Sequence, residues 1–194
     1  MKIWQGLVVV VLGLFGTAMA QSDSLREQGA ALKASLYEYE ATGDANHDFA
    51  NLISEQYRNA GRLAEMKVDQ LQAATLQRVA RSAIAKVENE LVEIETWKGR
   101  NSRPNVGENA ELVIASIETL SERMQTVDAR FVDADLEDDA YFAQLMLWHH
   151  EVAIAVGQLV VNQSVDAQAR MLATDTVRRH TREIAQLRNW EVTN

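Results

Sequence analysis

The chain contains four histidines, His47, His149, His150 and His180, and three of them fall in its last third. His149 continues an apolar series at helical spacing, Phe142, Leu145, Met146, Ala153, Val156 and Val160. His150 lies about 100° further round the same helix, and Met146 lies about one turn before it. His180 falls in a second such series, Leu172, Ala173, Thr176, Val177, Ile184 and Leu187, with Glu183 one turn on. Imidazole nitrogens suit copper, zinc, nickel and iron. A thioether adds softness that favours copper(I), and a carboxylate favours harder ions. A His-x-x-Glu pair facing two histidines can hold one divalent metal. The competing reading is a set of inward histidines satisfied by hydrogen bonds to Glu183 and to their neighbours. The spacing leaves both readings open.

Helices must bring these residues together. One proline (Pro104) and nine glycines occur in 194 residues, helix formers dominate, and no run of Val, Ile and Thr alternates as a strand would. The expected class is all-α. Ser164 and Asp166 are N-cap residues between the two series, so residues 162–166 read as a tight turn. Residues equidistant from such a turn lie at the same height in an antiparallel pair. The midpoint of 149 and 180 is 164.5, so His149 is expected to face His180, and Met146 to face Glu183.

The same hairpin occurs twice. Residues 49–97 and 142–190 align without a gap at an offset of 93, with ten identities in 49 positions, where composition alone gives about three or four. Phe49 matches Phe142, Ala60 matches Ala153, Ala80 matches Ala173, Glu90 matches Glu183 and Trp97 matches Trp190. The first copy turns near residues 71–74. Further helical segments are expected at Ser24–Ala41 and Asn109–Phe131. The organisation read from this is a first repeat at residues 21–98, a linker at 99–108 containing Pro104, and a second repeat at 109–194. Four hairpin helices joined by a long crossover make a four-helix bundle with the extra helices packed on it. Two three-helix units side by side are the alternative. In the first copy Ile53, Gln56, Tyr57 and Val87 stand where Met146, His149, His150 and His180 stand in the second, and only Glu90 remains. Any metal is therefore expected on the second copy. One inner carboxylate per copy is too few for a dimetal oxidase centre, and no nucleophile–base pair is visible, so the protein reads as a non-enzyme. The acidic run Asp133–Asp139 lacks the glycine and terminal glutamate of a calcium loop and reads as a helix start.

Lys2, the apolar run Leu7–Phe15 and Ala18-Met19-Ala20 have the order of a cleavable leader, residues 1–20, with the mature chain starting at Gln21. The run is short for a membrane span. A retained anchor is the other reading. The expected location is periplasmic or secreted, with no membrane in the mature form. No cysteine is present to form a disulfide, take a lipid or offer a thiolate ligand. Loss of Lys2 leaves 18 basic and 28 acidic residues, a net charge of −10. That surface excludes a nucleic-acid backbone as a natural partner.

The second hairpin resembles the exported bacterial family called domain of unknown function 305, which belongs with the ferritin-like helical bundles. The resemblance rests on Phe142, Met146, His149-His150, Ala153, Ala173, Glu183-Ile184 and Trp190, and it covers 49–97 as a degenerate copy. His180 stands where the family usually has Gln, and Leu187 where it often has Met. Some members bind copper in the periplasm. The resemblance therefore implies a ferritin-like bundle and a metal, copper favoured and zinc second, held by Met146, His149, His150, His180 and Glu183. Only Met66, Met124, Met146 and Met171 follow the leader, which argues against multi-copper storage and for buffering or delivery of a single ion. A structural or interaction module of the cell envelope is the competing function.

Overall fold

The structure is a computed structural model that describes residues 24–130 and 136–193. The leader expected at residues 1–20 lies outside the described residues, as do Asp133 and Asp135 of the acidic run.

The described residues form six helices and no strand, as the composition requires. They are α1 at residues 24–37, α2 at Ala45–Lys67, α3 at Ala74–Arg100, α4 at Ala110–Arg130, α5 at Asp138–Gln163 and α6 at Ala167–Thr193. The bounds of α3 and α6 differ by 93 at both ends. The turn before α6 is capped as the sequence predicts: Asp166 Oδ1 accepts the Ala169 N–H at 2.8 Å, and Ser164 Oγ accepts the Asp166 N–H at 3.0 Å.

The turn before α3 has no capping side chain of its own, since Ala73 occupies the cap position. Asp139, in the first turn of α5, supplies the cap from across the fold, accepting the N–H groups of Gln72 and Ala73 at 3.0 and 3.3 Å. Its neighbour Asp138 pairs with the buried Lys67 at the end of α2. The acidic residues at 138–139 do begin a helix, and they also tie that helix to the first hairpin.

The first helix is shorter than its sequence suggests. It ends at residue 37, not at Ala41, because the chain must turn sharply into α2. Gly43 adopts φ 86°, which a glycine tolerates without a Cβ clash. The buried carboxylate of Asp48 holds the turn, accepting from the Thr42 N–H and hydroxyl at 2.8 Å, Gly43 N–H at 3.1 Å and Tyr39 hydroxyl at 2.9 Å.

α2 packs on α3 and α5 packs on α6, while α2 also packs on α5 and α3 on α6. α4 lies on α5. The core between them includes Phe49 and Phe142, both at most 1% exposed, with Leu52, Leu63, Val152 and Leu187. Two glycines allow close helix approach: a Cβ on Gly61 would stand 2.4 Å from Val87 Cγ2, and one on Gly157 2.9 Å from Val177 Cγ2. α1 seats Leu25, Leu32 and Leu36 in the same core, and its Tyr37 packs edge-on against Trp148 at 5.8 Å. No described helix is long and apolar enough to cross a membrane.

Candidate metal centre at the histidine cluster

His149, His150 and His180 are each at most 1% exposed. Their ring centroids are 4.9–5.1 Å apart, and one nitrogen of each lies within 4.8 Å of those of the others. His149 and His180 are neighbours, as hairpin geometry predicts, but His150 is as close to both. Met146 is fully buried one turn before His150. His47 is elsewhere, in the first turn of α2, with Nδ1 3.0 Å from the Asn51 amide.

Burial sets the charge of the cluster. Desolvation holds all three imidazoles well below the ordinary histidine range, and the Lys86 ammonium acts in the same direction on each. They are neutral at pH 7, which is the form that offers lone pairs to a cation.

The hydrogen bonds then assign the protons. Gln56 Nε2 donates to the Leu32 carbonyl at 3.2 Å and to Ser35 Oγ at 2.8 Å, so its Oε1 faces His149 Nδ1 at 2.9 Å and accepts from it. Tyr57 donates its hydroxyl proton to Glu90 Oε2 at 3.0 Å, which leaves its oxygen to accept from His180 Nε2 at 3.2 Å. His180 Nδ1 is then a bare acceptor, and His150 Nδ1, 2.7 Å away, donates to it. These bonds use four of the six ring nitrogens. His150 Nε2 is buried without a hydrogen-bond partner and stands 3.5 Å from Glu183 Oε2. Both are acceptors in this scheme, and a lone pair facing a carboxylate lacks the positive charge between them that would make the contact favourable.

Glu183, expected opposite Met146, directs its carboxylate to α3. It pairs with Lys86, which is 4% exposed, and accepts the Ser82 hydroxyl at 2.5 Å. Glu90 in turn pairs with Arg179 at 2.7 Å. The two ion pairs exchange under the offset of 93: Lys86 corresponds to Arg179, and Glu183 to Glu90. The offset also relates Gln56 to His149, and these two residues touch.

The family assignment can now be made. The chain belongs to the family described as Domain of unknown function (DUF305). The family's pattern matches residues 44–191, which takes in α2 to α6 and every residue of the cluster. No curated protein and no solved structure matches the chain.

Within this DUF305 chain the sequence located the three histidines and Glu183. It assigned Gln56, Tyr57 and Glu90 to a packing copy, and it did not single out Lys86 or Ser82. The structure places Gln56, Tyr57, Ser82 and Lys86 against the histidines or Glu183, and Glu90 behind Tyr57. The offset was the available signal, because it pairs Gln56 with His149 and Lys86 with Arg179.

Proposed function

We propose that this protein is an exported carrier of one transition-metal ion, copper favoured over zinc, that buffers or delivers the ion and does no chemistry on it. The residues that would hold it are His149, His150 and His180, assisted by Glu183 and the thioether of Met146. The observation that carries the reading is the unpartnered lone pair on buried His150 Nε2, facing a carboxylate in a cluster of neutral imidazoles. A bound cation supplies the missing positive charge. Imidazole and thioether donors suit a borderline or soft first-row ion better than magnesium or calcium. For Glu183 to act as a ligand, Lys86 must release it.

The pairing of α2 with α3 and of α5 with α6, and the equal bounds of α3 and α6, support a ferritin-like four-helix bundle derived from a duplicated hairpin. In this reading the first copy supplies the hydrogen bonds that orient the ligands, through Gln56 and Tyr57, while the second supplies the ligands.

The test is metal analysis of full-length protein purified without a histidine tag. About one copper or zinc per chain is expected, lost in the His149→Ala, His180→Ala double variant. Undiminished uptake in that variant overturns the site. A second reading, a purely structural module, is favoured by the partners that the histidines do have in Gln56, Tyr57 and each other. It predicts a melting temperature indifferent to copper, zinc and chelator, whereas a ligand of the folded state raises it.

A further inference from the structure

The outer side of the Lys86–Glu183 and Arg179–Glu90 pairs is the floor of a cleft between α3 and α6, about 620 Å³ in volume. That is the size of a small-molecule site. Its charge is opposite to that of the chain. The whole chain carries −9, yet Arg78, Lys86, Arg178, Arg179 and Arg182 all line this one cleft. Among the described residues the only two carboxylates in its lining, Glu90 and Glu183, are already neutralised by Arg179 and Lys86. Arg178 pairs with Asp175, which does not line the cleft. Arg78 and Arg182 have no carboxylate partner among the described residues, and Arg78 hydrogen-bonds Thr75 Oγ1 at 3.0 Å. Most of the remaining lining is polar, with Ser82, Asn89 and Gln186.

Arg78 and Arg182, on two facing helices and answered by no carboxylate among the described residues, are suited to carboxylates presented by one small molecule. The same charges raise the potential at the cleft mouth and disfavour a bare cation there. We propose that the α3–α6 cleft binds a small polycarboxylate, and that the metal ion reaches the histidine cluster through it as an anionic polycarboxylate chelate. The second half rests on the metal-binding reading above, and the first half stands without it. A polycarboxylate fits better than inorganic phosphate because the cleft greatly exceeds one phosphate in volume and its cations are distributed over both walls.

The test uses the full chain, freed of metal, at low ionic strength. Citrate, inorganic phosphate and acetate are titrated calorimetrically. Saturable 1:1 binding of citrate is expected, at least tenfold tighter than phosphate, with no binding of acetate. The Arg78→Gln, Arg182→Gln double variant, whose changes lie at exposed positions, is expected to weaken citrate at least tenfold with an unchanged thermal melt. It is also expected to take up copper more slowly from copper citrate while reaching the same final copper per chain. Absent citrate binding, equal citrate binding by the variant, or tighter binding of phosphate overturns the polycarboxylate site. Citrate binding without copper uptake supports the anion site and overturns both the delivery step and the metal-binding reading. Uptake from copper citrate at the wild-type rate by the variant overturns the delivery step alone.

Discussion

His150 Nδ1 lies 2.7 Å from Nδ1 of His180, so two imidazoles on facing helices share one proton where water does not reach. Everything around that contact is arranged for neutral rings. Gln56 accepts from His149, Tyr57 accepts from His180, and Lys86 supplies the positive charge that Glu183 requires.

The first expectation concerns acid. The folded pKa values of His149, His150 and His180 lie below the unfolded value of 6.5, chiefly through burial. Below pH 6.5 the unfolded chain takes up protons that the folded core refuses. Stability from these groups is therefore fully present above pH 6.5 and is lost as pH falls from there toward the folded values. The slope is at most about 1.4 kcal/mol per pH unit for each histidine. Urea denaturation of metal-free protein at pH 7.5, 6 and 5 measures it. A flat profile would show that the three rings do not stay neutral together.

Lys86→Met tests the ion pair on the cluster. It leaves the Glu183 carboxylate buried with Ser82 and the histidines, at a cost of about 3 kcal/mol to the metal-free protein. A bound cation replaces the lost charge, so metal affinity rises about tenfold by competition with a chelator. Adding Glu183→Gln recovers most of the metal-free stability if the two side chains are coupled. Additive losses would place the role of Lys86 elsewhere.

At alkaline pH the tyrosines report on packing. Burial raises all four: Tyr37 to about 12, Tyr39 and Tyr57 well above the ordinary value, and Tyr141 above it. Glu90 adds to the effect at Tyr57. The stability they contribute is complete below pH 10 and is lost as pH rises beyond it, where the unfolded chain ionises and the folded chain does not. At pH 10.5, absorbance at 295 nm should show little phenolate in native protein and a large rise on unfolding. Equal spectra would contradict the buried position of Tyr57.

Gly157→Ala probes how closely α5 and α6 must pack. The new Cβ would lie 2.9 Å from Val177 Cγ2 and 3.2 Å from the Ala173 carbonyl oxygen. Overpacking of this kind costs about 1–3 kcal/mol, against a helix-propensity gain of up to about 1 kcal/mol. A net loss in chemical denaturation is expected, recovered in part by Val177→Ala. A stabilised Gly157→Ala variant would mean that the helices separate at low cost.

The amino-acid sequence by itself determined the helices, the turn at Ser164–Asp166, and the meeting of His149 with His180. These follow from local rules: a 3.6-residue period, capping chemistry, and equal heights on either side of a short turn. It also placed the start of α5 in the acidic run, though not the use of Asp139 as a cap for another helix. α1 stops short of Ala41 because the Asp48 carboxylate, several residues downstream, draws residues 39–43 out of the helix, a contact that no local period reveals. The tertiary structure alone decided what surrounds the histidines. Tyr57 is 123 residues from His180 and Lys86 is 97 from Glu183, and no local period relates residues so far apart. Their contact depends on how one hairpin rotates and slides against the other. That choice is made by the core that the two hairpins share, through Phe49 and Phe142, and it brings the polar groups of the two hairpins together.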